Sequence, residues 1–306
     1  MVERVSSAAA QLVSRYRRQR PLRGGSLLVT LFGDAIAPRG GRITLGSLIG
    51  LAAPLGLNER LVRTSMARLA DDGWLESRRL GRLSEYALSR EGRERFDAAT
   101  QQIYGVPGQP WPGTWTLVMV PNGRHAREAA REMLGWAGFG EPTPGVFVHP
   151  TLPPGEVPRL VGHAAELRDA IVLSATGGSA ESQRLLVTQG WDLGEIAARY
   201  RRFVAQFRPV LAALGEHERA APLPAFIIRT FLIHEYRRIH LRDPLLPAAL
   251  LPADWVGTDA YRLCVAIYSR IASTAEAHLS ESATTLDGPL PPADAAWAQR
   301  FGGLGR

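Results

Sequence analysis

The sequence predicts an α+β fold distributed over several domains. Three observations indicate this: helix signals followed by a short hairpin in the first third, alternating strand-like and helix-like segments in the middle, and long stretches of helical periodicity in the last third. The 306 residues are 45 % hydrophobic, which is enough for more than one core. They contain no apolar run long enough for a transmembrane helix.

A Pro/Gly-rich stretch at 105–113 interrupts the chain, because prolines and glycines at this density end regular structure. The predicted segments are a frayed basic N-terminal arm (1–20), a helix and hairpin domain (21–104), the joint (105–113), a mixed central domain (114–190), a helical C-terminal domain (191–285), and a Pro/Gly-rich tail (286–306) that wraps the surface or frays. The first residues lack the apolar stretch of a secretory signal, so we expect a cytoplasmic protein.

Positive charge is concentrated in the first third of the chain. The sequence has no lysine, and residues 1–104 hold 17 arginines against 10 acidic residues, whereas residues 105–306 hold 19 of each. A basic module on a neutral body is typical of nucleic-acid binding, although a solvated basic surface has the same composition.

Residues 26–72 carry the signals of an apolar helix (26–36) followed by two helices joined by a tight turn. Thr44 is a suitable N-cap for a helix over 45–56, and Gly56 ends that helix because glycine accepts positive φ. Asn58 then caps a helix over 59–72. Two helices joined by a short glycine-containing turn are typical of a helix-turn-helix.

The helix over 59–72 has one apolar and one cationic face at 100° per residue. We expect Val62, Ser65, Met66 and Leu69 to face inward, and Arg60, Arg63, Thr64 and Ala67 to face outward, with Arg68 on the flank. Arginine can donate two hydrogen bonds to guanine in the major groove, and almost no acidic residue shares this face.

A hairpin and a further helix follow. Residues 74–77 and 84–88 are predicted strands, with Arg78, Arg79 and Arg82 at the tip, and 90–104 is a predicted linker helix. A basic hairpin after a helix-turn-helix is a wing that contacts phosphates or the minor groove, so the N-terminal domain is predicted to be a winged helix-turn-helix. The predicted DNA-binding residues are Arg39, Arg42, Thr44, Asn58, Arg60, Arg63, Thr64, Arg68, Arg78, Arg79 and Arg82.

The central and C-terminal segments predict two further architectures. Strands at 114–120, 145–150 and 170–175 alternate with helices at 124–138 and 155–167, an order that favours a ferredoxin-like split-βαβ domain. Long helices are predicted at 192–214, 226–241 and 259–279.

The chain also resembles the PaaX family, repressors of phenylacetate-catabolism operons. The resemblance is carried by SLLVTLFGDAIAPRGGRITLGSLIGLAAPLGLNERLVRTSMARLADDGWLESRRLGRLSEYALSREGRERF, by the WPGTW junction and by FLIHEYRRIHLRDPLLPAALLPADWVG. It implies a winged-helix domain, a central domain similar to the Cas2 fold and a helical C-terminal domain. It also implies release from DNA by phenylacetyl-CoA, with no other cofactor. We expect a homodimer on a pseudo-palindromic operator.

An acyl-CoA effector needs cations for its phosphates and an apolar slot for its aryl group. The residues predicted to supply both are Arg229, His234, Arg237, Arg238 and Trp255. The alternative is an arginine–carboxylate network with Glu235, Asp243 or Asp254.

Enzymatic alternatives find little support in the sequence. A Cas2-like nuclease needs a metal-binding aspartate after its first strand, where this chain has Pro121 and Asn122. His234 and His240 are six residues apart, about 240° around a helix, which does not suit one zinc ion. The glycines in 174–182 lack a P-loop lysine, and the single cysteine, Cys264, predicts packing. We therefore expect a protein that is not an enzyme. The alternative to DNA binding is a winged helix that contacts other proteins.

Overall fold

The computed structural model describes residues 2–19, 24–108, 110–121, 123–162, 164–215 and 220–304, and the predicted boundary at 20/21 lies outside these ranges. The chain divides into two compact units. The first contains Met1–Val106, Arg201–Arg238 and Thr258–Arg306, and the second contains Pro107–Tyr200 and Ile239–Gly257. The helix–hairpin segment therefore shares a unit with much of the C-terminal helical segment, which composition had predicted as a separate domain.

The N-terminal arm is a helix, α1 (Val2–Arg17), so the prediction of a frayed arm is wrong. Val5, Ala9, Leu12 and Tyr16 are all buried, and their spacing of three and four residues forms one apolar stripe. The arginines that suggested a solvated arm lie between these positions.

The next elements follow the predicted helix-turn-helix. They are α2 (Gly24–Leu31), one π-helical turn (Phe32–Ile36), a 3-10 turn (Ala37–Arg39), β1 (Arg42–Thr44), α3 (Leu45–Ala52) and α4 (Glu59–Asp71). Thr44 and Asn58 cap α3 and α4 as predicted. α3 ends earlier than predicted, and Gly56 turns the chain with φ of 89°.

The hairpin consists of β2 (Leu75–Leu80) and β3 (Leu83–Leu88), and α5 (Arg90–Tyr104) follows it. β1 pairs with β3, which gives an antiparallel sheet of order β1-β3-β2. Both strands are longer than predicted, so the turn is only Gly81 and Arg82. Arg78 and Arg79 therefore lie within β2 rather than at the tip.

The second unit contains an antiparallel sheet with helices. Its elements are β4 (Thr114–Met119), α6 (Arg124–Trp136), β5 (Gly140–Thr143), β6 (Val146–His149), α7 (Val157–Val161), β7 (Ile171–Thr176) and α8 (Ala180–Gly190). The order β5-β6-β4-β7 inserts β6 between β4 and β5, as a split βαβ requires. Val118, Ala130, Leu134 and Phe147 form its core.

Two local predictions in this unit are wrong. β5 was missed because its sequence, GEPT, has glycine and proline where a strand prediction needs β-branched residues. The helix predicted over 155–167 is a single α-turn, α7, between two 3-10 turns.

The remaining elements are α9 (Leu193–Leu214), α10 (Pro222–His240), α11 (Val256–Ser282), β8 (Thr284–Thr285), β9 (Gly288–Pro289) and α12 (Ala295–Ala298). The tail is not frayed, since Leu290, Arg300 and Phe301 are buried in the first unit. Within the described part of the chain, every helix is too short or too polar to cross a bilayer.

Candidate DNA-binding surface

The two faces of α4 differ as its sequence predicts. Val62 and Met66 are fully buried, and Asn58 begins the helix by accepting a hydrogen bond from the Leu61 N–H at 2.8 Å. The predicted outward residues are all exposed, namely Arg60, Arg63, Thr64, Ala67 and Arg68. The apolar face of α4 therefore packs into the first unit, and the cationic face is exposed to solvent.

Arg63 has an acidic partner that the sequence interpretation discounted. Its guanidinium donates from Nε to Glu59 Oε1 at 2.8 Å, one turn earlier, and both side chains remain more than half exposed. An exposed pair of this kind is weak and can be exchanged for another acceptor. The Thr64 hydroxyl donates to the Arg60 carbonyl oxygen at 2.9 Å, so its proton is used within the helix.

The hairpin adds three exposed arginines, Arg78, Arg79 and Arg82. Arg78 and Arg79 are consecutive in β2, so they point to opposite faces of the sheet. Arg78 lies opposite Glu85 in the register, but Glu85 is buried and accepts a hydrogen bond from the Leu286 N–H at 2.8 Å.

Two residues of the predicted set are interior. Arg39 is 2 % exposed and donates to the Pro291 carbonyl oxygen at 2.7 Å and to the Glu276 carboxylate, so it leaves the candidate surface. Thr44 is buried as the N-cap of α3, where it accepts from the Ser47 N–H at 3.3 Å. Both predictions are corrected for the same reason. The residues near them in sequence do not reveal the distant segment, around residues 284–291, that covers them in the fold.

Four of the five predicted effector residues lie on α10 in the first unit, and two of these, Arg229 and His234, are buried. Arg229, 1 % exposed, donates from Nε to Asp34 Oδ2 at 2.7 Å and also to the Glu276 carboxylate. These partners are not the carboxylates that the alternative interpretation named. Arg229 is thus committed to an internal ion network, so the prediction that it contacts an effector is wrong.

His234 and Arg237 are bound to α2. The His234 ring Nδ1 lies 2.9 Å from Thr30 Oγ1, while Arg237 donates to that hydroxyl at 2.7 Å and to the Ser26 carbonyl oxygen at 2.6 Å. Burial lowers the pKa of Arg237 to about 10. These contacts hold α10 against α2, which is a packing role.

The other two predicted effector residues, Arg238 and Trp255, are partly exposed. Arg238 is partly exposed and lies 3.5 Å from Glu235, as the alternative interpretation allowed for this pair. Trp255 belongs to the second unit, where its ring meets Tyr200 edge-on at 6.1 Å between centroids.

Asp34 forms the centre of an internal network that the sequence did not reveal. From its place in the π-helical turn it accepts hydrogen bonds from the hydroxyls of Tyr104 at 2.6 Å and Tyr268 at 2.9 Å, in addition to its bond from Arg229. Arg300 donates to Asp34 Oδ1 at 3.0 Å. Burial alone would raise the pKa of Asp34, but Arg229, Arg300 and the Tyr104 hydroxyl outweigh it and hold the pKa below its ordinary value.

The remaining candidate sites have ordinary structural roles. Gly177 and Gly178 lead into α8, whose N-cap is Ser179, and Cys264 is buried. Among the described residues, no group of three or more His, Cys, Asp and Glu is arranged to hold a metal ion. Asn122, at the position of the expected nuclease aspartate, lies outside the described residues.

The second unit contains an open cavity of about 760 Å³. Its wall includes Val187, Trp191 and Leu251, with Arg184 and Asp192 as its charged members. The volume is within the range of small-molecule pockets.

The cap of α4 permits a test that separates stability from ligand contact. Replacing Asn58 with Asp should leave the free energy of unfolding within about 0.5 kcal/mol, because both residues are good N-caps. If α4 enters DNA as the sequence predicts, the variant should weaken DNA binding several-fold, since it adds a negative charge at the helix end predicted to lie near phosphates. Asn58→Ser keeps a cap without charge and is the control. Equal DNA affinities of the wild type and the two variants in a fluorescence anisotropy titration would contradict the prediction that this end of α4 lies near DNA.

Comparisons with known proteins cover most of the chain. Family models match in three places: a PaaX-like protein over residues 23–92, the PaaX protein central Cas2-like domain over 108–187, and the PaaX-like protein C-terminal domain over 191–281. The transcriptional repressor PaaX of Escherichia coli strain K12 is 39 % identical over 289 residues, which is 93 % of this chain and 92 % of that protein. A solved structure, the uncharacterized protein Rv0674 from Mycobacterium tuberculosis, is 25 % identical with a TM-score of 0.51, and the match covers 81 % of this chain and 96 % of that one.

Proposed function

Because this chain belongs to the PaaX family, we propose that it represses transcription of an operon for phenylacetate catabolism by binding operator DNA through α4 and the β2–β3 hairpin. Its central domain is Cas2-like and its C-terminal part is helical. A member of this family is a transcriptional regulator and not an enzyme.

The observation that carries the proposal is the exposed cationic face of α4. Arg60, Arg63 and Arg68 stand on the side opposite the buried Val62 and Met66, which is the arrangement of a helix that enters the major groove. In this proposal Arg60 and Arg63 read base edges, because they lie in the first turns of the helix.

The hairpin acts as the wing in this proposal. Arg78, Arg79 and Arg82 contact the DNA backbone or the minor groove beside the site that α4 reads. Arg42 contacts a phosphate near the beginning of α3. Two copies of the chain bind two half-sites of a pseudo-palindromic operator, since two-fold protein symmetry matches two-fold DNA symmetry.

We further propose that an aryl-CoA thioester, phenylacetyl-CoA in the first place, releases the repressor. Such a ligand shifts the equilibrium only if it binds the DNA-free state more tightly. Arg229 is buried in its ion network and Arg237 is bound to Thr30 of α2, which argues against a phosphate site on their part of α10. The cavity that contains Arg184 and Trp191 supports the proposal better, because it combines an exposed cation with an apolar wall.

The test is a gel-shift titration on DNA from upstream of the protein's own operon, repeated over a series of salt concentrations. We expect sequence-specific retardation and a steep fall of affinity with salt, since each neutralised phosphate contributes a slope of about 0.9 in the log–log plot. Phenylacetyl-CoA should abolish the shift, and free phenylacetate should not.

The same titration separates the alternatives. Specific binding that does not change with the thioester would contradict the proposed effector, but it would agree with the proposed repressor function. Failure to bind any promoter fragment would contradict DNA binding and favour a winged helix that contacts proteins.

A further inference from the structure

A short segment after α11 covers the beginning of α3 in the first unit. This segment, residues 283–291, contains the β8–β9 hairpin, and we call it the strap. The Thr284 N–H donates to the Ser47 hydroxyl oxygen at 3.0 Å. The Thr284 hydroxyl lies 3.0 Å from Ser47 Oγ and 3.3 Å from Thr44 Oγ1. The strap is thus bound to the first turn of α3.

The strap is a fixed part of the first unit. Its residues Ala283, Thr285 and Leu290 are buried. The Pro291 carbonyl oxygen accepts the hydrogen bond from Arg39, and the Leu286 N–H donates to the buried carboxylate of Glu85 in β3. These contacts set the position of the strap between α3 and the sheet.

One carboxylate of the strap takes a cation of the candidate DNA surface. Asp287 Oδ2 lies 2.9 Å from Arg42 Nη1, and the side chains are 61 % and 41 % exposed. An exposed ion pair of this kind is weak, so a DNA phosphate can compete for Arg42.

The groups beneath the strap are the kind that bind phosphate. The first N–H groups of a helix have no partner within it, and with the helix dipole they favour an anion. In a helix-turn-helix the first helix crosses the DNA backbone, and hydroxyl side chains such as that of Ser47 are common phosphate donors. In this structure Thr284 covers that helix end, and Asp287 forms an ion pair with the partly exposed Arg42 three residues before α3.

We propose that the strap is an autoinhibitory contact, in which Asp287 occupies Arg42 in place of a DNA phosphate and Thr284 covers the start of α3. DNA binding then requires the backbone phosphate to displace this contact. The inference rests on the proposed DNA-binding function. In this proposal the strap contact lowers the affinity for every DNA sequence by the same factor.

The test compares Asp287→Asn with the wild-type protein on operator DNA and on unrelated DNA. We expect about threefold tighter binding to both, because phosphate contacts carry no base information and an exposed ion pair is worth this much. The log–log salt slope should stay the same, because Arg42 neutralises one phosphate in the bound state of both proteins. Asp259→Asn, which removes an exposed carboxylate from the first turn of α11, is the matched control and should leave both affinities unchanged.

A second pair of variants isolates the contact itself. In an Arg42→Ala background, Asp287→Asn should give no gain, because the cation that it frees is absent. A gain that persists there, or an unchanged or weaker affinity of the single variant, overturns the strap proposal while wild-type DNA binding stands. Absence of DNA binding by the wild type and by Asp287→Asn overturns both the strap and the proposed function.

Discussion

Replacing Asp34 with Asn is expected to lower the free energy of unfolding by about 3 kcal/mol or more, because it removes the carboxylate shared by two buried arginines. Arg229 and Arg300 would stay in the interior without a full negative charge between them. Urea denaturation followed by circular dichroism measures the change. A Tyr104→Phe variant, which removes only one donor to the carboxylate, should lose about 1.5–3 kcal/mol and is measurable even where the first variant does not fold.

The acid side of the stability curve tests the same network independently. The pKa of Asp34 is held below its ordinary value of 3.8, so its charge stabilises the folded state above that pH. That contribution is lost as pH falls through the lowered pKa. An Asp34→Asn protein with wild-type stability at pH 7 would contradict the role of the network.

Replacing Arg63 with Ala is expected to weaken operator binding about 10- to 100-fold and to relax base preference at one position in each half-site. The reason is that a good bidentate arginine–guanine contact is worth about 1–3 kcal/mol of discrimination. Truncation also leaves Glu59, the present partner of Arg63, facing DNA without its cation. Anisotropy titrations on the operator and on single-base variants measure both effects.

Two other arginines provide the comparison for Arg63. Arg79→Ala, in the wing, should weaken binding to every sequence equally and reduce the salt slope by about 1. Arg208→Ala, on an exposed position of α9, should change neither quantity. An unchanged base preference in Arg63→Ala would contradict the assignment of α4 as the reading helix.

The two helices α3 and α4 and the turn between them were predictable because their signals are local. The caps Thr44 and Asn58, the turn at Gly56 and the two faces of α4 depend on residues within about four positions of one another. The exposure of the α4 arginines could be predicted from the apolar positions of Val62 and Met66, without knowledge of the rest of the chain.

The buried arginines could not be predicted in the same way. Arg229 meets Asp34 across 195 positions and Arg39 meets Glu276 across 237. A sequence shows that an arginine is present but not that a distant carboxylate encloses it, so residues expected to bind phosphates proved to be internal. The spacing of Val5, Ala9, Leu12 and Tyr16 was a usable signal for α1, but the surrounding arginines suggested a solvated arm.

The link between Asp34 and Arg300 also constrains the order in which the protein can mature during synthesis. The two residues are 266 positions apart, and the aspartate precedes α3 and α4 in the chain. A ribosome therefore exposes the whole helix-turn-helix long before the arginine that completes its interior has been made. Nascent or prematurely terminated chains would carry α4 on an unfinished core, and quality-control proteases would meet them in that state. Only a chain translated past residue 300 can complete this interior.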